Sequence, residues 1–345
     1  MVGAHTAAAL QRAGHELRLL VRDPSRIPRA LDPLGVSTPQ YVIGSVTDPA
    51  AVAEAFRGCD AAVHAAALLS FDRARDAEMQ RTNVEGSRLV LETGVRLGLD
   101  PIVYVSSLAA LFPAEGSLLT AEESVKSPKD LYARSKAAGE RVARALQARR
   151  APVVITYPGG VFGPDDPTVN DGVRLIVKFL TSGAFPVTSG GISLIDVRDI
   201  AAVHAAVMKP GLGPRRYVLG GHFLPYADLV DCFVRVTGRR VVKLPVPGGL
   251  MRGLGWLGDR LRGLGLDVGA LTYESMLMAT RGVPCDDSPA RRELGIAFRT
   301  ADDTLRDVLQ WMYREGTLGA DDLGVLARDT GSDLRAESFR SGSRP

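Results

Sequence analysis

Tyr132 and Lys136 stand four residues apart, downstream of the pair Ser106 and Ser107, which follows an apolar run. Positions i and i+4 of a helix share one face, so the phenol and the ammonium can reach one pocket. A free tyrosine has a pKa of about 10, and a nearby cation lowers that pKa toward the range useful for proton transfer at neutral pH. A serine hydroxyl can hold the oxygen that exchanges this proton. The spacing therefore predicts proton transfer at a carbonyl or alcohol oxygen, coupled to hydride transfer at its carbon.

These residues need a scaffold that brings a strand end beside a helix, and the chain shows strand and helix patterns in alternation. We predict strands over 16–21, 41–44, 61–66, 102–106 and 152–157, and helices over 4–13, 49–56, 75–97 and 132–148. Nearly continuous apolar strands are typical of a parallel sheet covered on both faces. The sequence therefore predicts an α/β, doubly wound fold with Ser107 at the carboxyl end of a central strand, where such sheets bind ligands.

Composition excludes several functional classes. The chain has 345 residues, 46% hydrophobic and 23% charged, with a net charge of +3. That balance is typical of a globular protein and too mild for a nucleic-acid partner. Cys59, Cys232 and Cys285 are too few and too far apart for a disulfide framework or a zinc site, so we expect a reducing, cytoplasmic setting and no metal. No run reaches the roughly 18 apolar residues of a membrane span.

Several short motifs share their order with a known family. They are VRDPS at 21–25, VHAA at 63–66, TNVEGS at 82–87, YPGGVFGP at 157–164 and IDVRDI at 195–200. Together with Ser107, Tyr132 and Lys136 they resemble the extended short-chain dehydrogenase/reductases, the NAD-dependent epimerase/dehydratase group. The resemblance covers about residues 1–315. It implies a Rossmann-type sheet and an enzyme that uses a nicotinamide dinucleotide.

The resemblance also implies roles for single residues. Ser107 would be the catalytic serine, with Ser106 as the fallback, and Tyr132 the general acid/base. Lys136 would also bind the nicotinamide ribose, and Asn83 would brace a helix. The remaining positions would touch the cofactor: Gly3 as the last glycine of the phosphate loop, Val46 at the adenine, Ala65 and Ala66 at the adenosine-side ribose and phosphates, and Pro158, Gly159 and Val161 at the nicotinamide.

Arg22 bears on the choice of cofactor. At the end of the family's second strand an acidic residue binds the ribose 2′-hydroxyl, whereas an arginine accommodates a 2′-phosphate. Arg22 precedes Asp23 here, so NADP is favoured, with NAD as the alternative. Ser45 departs from the family, which usually places Asp beside the adenine.

The implied domain organisation has two lobes. After residue 160 Gly and Pro become frequent, and helices are predicted over 197–208, 226–237, parts of 249–280 and 301–314. We predict a dinucleotide-binding domain over 1–160, continued by parts of 190–222, and a smaller substrate lobe mainly over 161–315. Residues 316–345 are rich in Gly, Ser, Asp and Arg, which is typical of a disordered tail. The helices around 75–97 and 130–148 pair family members, so a homodimer is expected.

The amino end departs most from the family, which opens with an apolar strand and Gly-x-x-Gly-x-x-Gly. This chain opens at Met1-Val-Gly3, so the first strand and two glycines lack a counterpart. The sheet would then lack a central strand, and most of the pyrophosphate cradle would be missing. One hypothesis is a start codon assigned too late. The rival, a real truncation, predicts poor folding and weak dinucleotide binding.

The substrate prediction rests on the absence of a basic residue from one segment. Residues 186–196 contain no arginine where sugar-nucleotide enzymes carry one, and Leu254, Trp256, Leu257 and Leu261 could line an apolar pocket. We therefore favour the 3β-hydroxysteroid dehydrogenase/dihydroflavonol reductase-like branch, acting on a secondary alcohol or ketone of a hydrophobic small molecule. The alternatives are a sugar-nucleotide epimerase or dehydratase and a non-catalytic dinucleotide-binding protein. The arginines at 252, 260 and 262 leave peripheral membrane contact open.

Overall fold

The computed structural model describes residues 1–37, 39–69, 73–168, 171–266, 268–269 and 271–328. The strands of these residues are β1 Arg18–Val21, β2 Gln40–Ile43, β3 Ala62–His64, β4 Ile102–Val105, β5 Val153–Pro158, β6 Gly160–Phe162, β7 Ala184–Val187, β8 Gly191–Asp196, β9 Arg215–Leu219, β10 His222–Pro225 and β11 Val242–Pro245. The first eight helices are α1 Val2–Arg12, α2 Ile27–Leu31, α3 Pro49–Phe56, α4 Asp76–Gln80, α5 Ser87–Arg96, α6 Leu131–Ala148, α7 Asp171–Thr181 and α8 Val197–Ala206. They are followed by α9 Tyr226–Thr237, α10 Gly248–Gly263, α11 Tyr273–Arg281, α12 Ser288–Leu294, α13 Ala301–Arg314 and α14 Ala320–Leu323. A π-helical turn, Arg81–Gly86, joins α4 to α5.

The main sheet has four parallel strands in the order β3-β4-β5-β9. Every residue of β4 and β5 is buried, as their continuous apolar sequences require when helices cover both faces. β1 and β2 form a separate parallel pair. Helical chain links β1 to β2, β2 to β3, β3 to β4 and β4 to β5, which is the doubly wound arrangement. The predicted Rossmann-type fold lacking its first strand is confirmed.

A groove separates β1 from β3, and its volume is about 1140 Å³. It is lined by β1, β3 and one side of α1. No strand of the described residues pairs with β1 or β3 across it. All four residues of β1 are only half-buried, including Leu19, Leu20 and Val21, whereas every residue of β4 is buried. The sheet is therefore interrupted at one strand position.

A separate hydrophobic core lies outside the main sheet, and α7, α9 and α13 contribute Val177, Phe233 and Leu309 to it. Three strands in the order β10-β8-β6 and the pair β11-β7 complete this part of the chain. Leu323 and Leu326 are buried in the same core. The predicted tail is therefore wrong for residues 316–328, because these leucines find an apolar surface that composition does not reveal. The rest of the predicted tail, 329–345, lies outside the described residues.

Two buried histidines link helices and strands through hydrogen bonds. His204 bonds the hydroxyls of Thr6, at 2.8 Å from Nδ1, and Thr156, at 3.1 Å from Nε2. His64 bonds Ser87 Oγ at 3.0 Å from Nε2. Burial lowers the pKa of both histidines to about 3. Both imidazoles are therefore neutral in the folded protein at neutral pH.

This burial predicts acid sensitivity. The ordinary histidine pKa is 6.5, so between pH 6.5 and the folded value the unfolded chain binds more protons, and stability falls as pH falls. We expect the unfolding free energy to drop by up to about 1.4 kcal/mol per pH unit for each histidine. Urea titrations across that range measure it. His204→Gln should flatten the slope, and the exposed-site control His15→Gln should not; equal slopes for both variants would contradict the assignment.

Candidate active site

Helix α6 presents Tyr132 in its first turn and Lys136 one turn later. The Asp130 carboxylate caps the helix by accepting the backbone N–H of Ala133 at 2.9 Å. Glu274 of α11 accepts the backbone N–H groups of Lys129 and Asp130. The start of α6 is thus fixed both by its own cap and by a carboxylate from the second lobe. The sequence carries no signal for the Glu274 contact, since the partners lie some 145 positions apart.

The two serines after β4 have different surroundings. Ser107 is half-buried and accepts the backbone N–H of Ala109 at 3.2 Å, and its hydroxyl lies near enough to the Tyr132 phenol to lower the phenol's pKa. Ser106 is buried, and its Oγ has no hydrogen-bond partner among the described residues. Its backbone N–H joins the sheet by donating to the Thr156 carbonyl at 2.8 Å. The structure therefore brings Ser107, and not Ser106, to the phenol.

Lys136 is buried against the sheet. Its Nζ donates to the Val105 carbonyl at 2.8 Å and lies 5.2 Å from the centre of the Tyr104 ring. Burial lowers the pKa of Lys136 to about 8, and the charge of Glu140 opposes that shift. Glu140 accepts hydrogen bonds from Tyr157 Oη at 2.6 Å and from an arginine at 2.7 Å. Our sequence interpretation missed Glu140, although it follows Lys136 at i+4 on the same helix face.

The Tyr132 phenol does not behave as the spacing alone suggests. Burial raises its pKa above the ordinary value, the hydrogen bond with Ser107 lowers it in part, and the charge of Asp130 raises it. Lys136 is not among the groups that shift this pKa, and its ammonium donates to the Val105 carbonyl. The described structure therefore holds Tyr132 in its protonated form at neutral pH.

The loop after β5 packs beside the turn that carries Ser107. The Gly159 N–H donates to the Leu219 carbonyl at 3.0 Å. A Cβ at Gly159 would lie 2.5 Å from the Ser193 carbonyl oxygen and 3.3 Å from Leu108 Cδ1, so only glycine allows this approach. Pro158 ends β5, and Val161 continues into β6. These positions thus share the carboxyl edge with Ser107, as the predicted nicotinamide contacts require.

The predicted adenosine-side residues lie around the groove. Gly3, Val46, Ala65 and Ala66 all line it. A Cβ at Gly3 would lie 3.7 Å from Ala65 Cβ, so the first turn of α1 sits close to the end of β3. Arg22 follows β1, is largely exposed, and pairs with Glu78 at 2.9 Å.

Asn83 links two layers of the site. Its amide nitrogen donates to Ser135 Oγ at 2.9 Å, and its Oδ1 accepts the Leu68 N–H at 2.8 Å. The residue is buried within the π-helical turn. It thus fixes α6 from behind, in keeping with the bracing role that the resemblance implies.

A nicotinamide dinucleotide fits one end of this site better than the other. At the catalytic end a buried ammonium and two half-buried hydroxyls offer donors for a ribose and a substrate oxygen. At the groove the resemblance places a pyrophosphate at Gly3 and the first turn of α1, where the sequence supplies only the last glycine of the family's phosphate loop. Among the described residues no cluster of three His, Cys, Asp or Glu could hold a metal ion. None of the described helices is long and apolar enough to cross a membrane.

Comparison with known proteins agrees with this geometry. Residues 1–220 match the family model of the NAD dependent epimerase/dehydratase family. A putative dihydroflavonol 4-reductase of Synechocystis sp. is 28% identical, over 91% of this chain and 92% of the relative. Sterol demethylase protein B of Methylococcus capsulatus is 26% identical, over 92% of this chain and 97% of the relative. The crystal structure of gox2253 superposes with a TM-score of 0.76 at 26% identity, covering 92% of this chain and 97% of that one.

Proposed function

The chain belongs to the NAD-dependent epimerase/dehydratase family, and we propose that it transfers hydride between NADP and a secondary alcohol or ketone of a hydrophobic small molecule. The observation that carries the proposal is the contact between Ser107 and the Tyr132 phenol, with Lys136 one turn further along the same helix. A phenol that donates a proton, beside a second hydroxyl that holds the substrate oxygen, can protonate a carbonyl oxygen during its reduction.

Each residue has its own role in the proposed hydride transfer. The Ser107 hydroxyl donates a hydrogen bond to the substrate oxygen and orients it. Tyr132, whose raised pKa keeps the phenol protonated, gives its proton to that oxygen when a ketone is reduced. Lys136 offers its ammonium to the nicotinamide ribose, and Pro158, Gly159 and Val161 form the wall behind it. A bound nicotinamide supplies the hydride. The protonated phenol is the form that reduction uses, and the reverse reaction uses the phenolate.

Two features support an apolar substrate. The segment 186–195 contains no lysine or arginine that could hold a diphosphate, and Asp196 at its end is paired with Arg198 at 2.6 Å. The relatives described above are named for a dihydroflavonol and for a sterol, both largely hydrophobic ring systems. We therefore assign this chain an apolar ring or chain compound that carries a secondary oxygen function.

A substrate screen at the nicotinamide absorbance tests this function. Apolar ketones with NADPH should give turnover, and nucleotide-diphosphate sugars should give neither turnover nor a thermal shift. Binding and epimerisation of a sugar nucleotide would replace the proposal with the sugar-nucleotide alternative. Dinucleotide binding without turnover of any substrate class would favour the non-catalytic alternative.

Arg22 predicts the cofactor preference. Its guanidinium can pair with a 2′-phosphate, so Arg22→Ala should weaken NADP binding by about tenfold and leave NAD binding nearly unchanged. Titration of both dinucleotides by intrinsic fluorescence measures the two affinities. The matched control is Arg306→Ala, which removes an exposed pair with Asp303 at 2.6 Å and does not line the groove. Equal losses for NADP and NAD in the Arg22 variant would contradict the assignment.

The remaining proposals concern organisation. We propose that the protein is a cytoplasmic homodimer that pairs through α5 and α6. Its dinucleotide domain comprises 1–160 and parts of 190–222, and its substrate lobe lies mainly in 161–315. Cys59, Cys232 and Cys285 are free thiols, in keeping with a reducing compartment. The separate core shared by α7, α9 and α13 supports the second lobe. Light scattering on protein eluted from a size-exclusion column would measure its mass and so test the dimer.

A further inference from the structure

Exposed apolar side chains are concentrated on one part of the surface. Nine of the twenty large hydrophobic residues that are exposed in the described structure fall between Leu250 and Met278. They belong to α10, α11 and the connection between them. Contiguous apolar surface of this kind marks an interaction site, whereas single exposed leucines do not.

Helix α10 turns its small residues inward and its large ones outward. Its only buried residues are Gly255 and Gly258. A Cβ at these positions would lie 2.5 Å from the Thr272 carbonyl oxygen and 1.9 Å from the Leu271 carbonyl oxygen, so the glycines allow close packing on the segment that leads into α11. Because the helix packs through its backbone, its leucines are left for another surface.

Those leucines form one stripe. Leu250, Leu254, Leu257 and Leu264 recur at helical spacing, so they share one side of α10 and its end. We call these four residues the leucine face. They are exposed by 57%, 42%, 47% and 80%, respectively. Asp259 lies on the opposite side of the helix, where its carboxylate accepts the Tyr273 N–H at 3.2 Å.

The charge around this face is positive. Residues 248–266 contain Arg252, Arg260 and Arg262 against a single acid, Asp259. Arg252 donates to Thr280 Oγ1 at 3.0 Å and Arg262 donates to the Gly269 carbonyl at 2.8 Å. Both are half-buried, so Arg260 is the exposed arginine of this helix. Arg260 is exposed and stacks over the Trp256 ring at 4.5 Å, and the Trp256 side chain is itself 52% exposed. An indole beside an arginine, flanking a leucine stripe, is the composition of helices that lie in a membrane interface with anionic headgroups.

We propose that α10 docks the protein on the surface of an anionic lipid bilayer, with the leucine face in the acyl boundary and Arg260 at the headgroups. The hydrophobic stripe supplies the apolar area, and Arg260 beside the Trp256 indole supplies the charge complementarity. A second copy of this chain would bring an α10 of the same net positive charge to the contact. The lipid surface is therefore the better partner.

The docking surface is joined to the candidate active site. Glu274 of α11, the helix on which α10 packs, accepts the backbone N–H groups of Lys129 and Asp130 ahead of Tyr132. A bilayer under α10 would thus lie near the segment that presents the phenol. The docking itself does not depend on the proposed reaction, because it rests on α10 alone, so its test measures binding and not turnover.

Vesicle sedimentation tests the proposal with the whole chain. We expect the protein to bind vesicles of phosphatidylcholine with phosphatidylglycerol, to release them as salt rises, and to ignore pure phosphatidylcholine. Leu254→Ser with Leu257→Ser should weaken binding by at least about tenfold, since each leucine loses most of its transfer energy. Leu97→Ser with Leu212→Ser, at similarly exposed leucines elsewhere, should bind like the wild type.

A second measurement guards against misfolding. Trp256 is exposed while Trp311 is buried, so a blue shift of the tryptophan emission on anionic vesicles reports on α10, and near-ultraviolet circular dichroism checks each variant. Failure of the folded wild type to bind anionic vesicles would overturn the proposal, as would equal binding by both double variants. Self-association that disappears in the Leu254/Leu257 variant, without vesicle binding, would assign the face to a second copy instead.

Discussion

Replacing Tyr132 with phenylalanine is expected to reduce turnover by about 100-fold or more, with little change in stability or in dinucleotide affinity. The phenol lies near the Ser107 hydroxyl, which lowers its pKa in part, and phenylalanine keeps the ring while removing the proton. The substrate oxygen would then have to draw its proton from water. Steady-state kinetics at the nicotinamide absorbance, with the substrate found by the screen, measures the loss.

The pattern of losses in the Tyr132→Phe variant distinguishes a lost proton donor from a folding defect. A lost proton donor lowers kcat and leaves the dinucleotide affinity intact, whereas a damaged helix α6 would also weaken binding. Tyr313→Phe, at a partly buried tyrosine that packs in the second lobe, is the matched control and should keep full activity. Unchanged turnover in the Tyr132 variant would show that another group moves the proton.

Sequence patterns were informative where burial is continuous. The strand predicted over 102–106 and the helix predicted over 132–148 agree with β4 and α6 to within one residue at either end, because a fully buried strand and a capped amphipathic helix each leave a local pattern. Helix α13 matches residue for residue. The interruption of the sheet was also predictable, since the family's first strand has no counterpart in this sequence.

The second lobe was harder to predict. Strands β6, β7, β10 and β11 are three or four residues long, and several contain glycine or proline. Their positions depend on partners far along the chain, such as the antiparallel pairing of β10 with β8. Local propensity is weak in such strands, and the tertiary context decides. Helix α7 was also missed. Its apolar residues pack in the same core as those of α9 and α13.

The candidate site shows a similar limit. The i+4 spacing of Tyr132 and Lys136 placed both on one helix, as predicted, but could not show that the Lys136 ammonium bonds the Val105 carbonyl. Burial therefore dominates the pKa of the phenol, in the direction opposite to the expected one. Desolvation depends on what covers a residue, and neither α11 nor the loop at Gly159 is visible from the residues around Tyr132.

Filling the groove between β1 and β3 is expected to stabilise the protein and to tighten dinucleotide binding. β1 and β3 each present an edge with no strand of the described residues beside it, and Gly3 and Ala65 stand at the end where a pyrophosphate would lie. A chain extended ahead of Met1 by an apolar strand of about five residues and a glycine-rich turn would pair with both edges. Each added hydrogen bond contributes about 0.5–1.5 kcal/mol, with apolar burial in addition.

We expect the extended chain to melt at least about 5 °C higher and to bind NADPH at least about tenfold more tightly, since the turn adds backbone N–H donors for the phosphates. The matched control carries an extension of equal length with proline at alternate positions, which removes the donors to the sheet. Hydrogen exchange gives the sharpest readout: amide protection should rise at 18–21 and 62–64 in the extended chain only. If both extensions act alike, the groove does not receive a strand, and the weak end of the dinucleotide site must be completed by other residues.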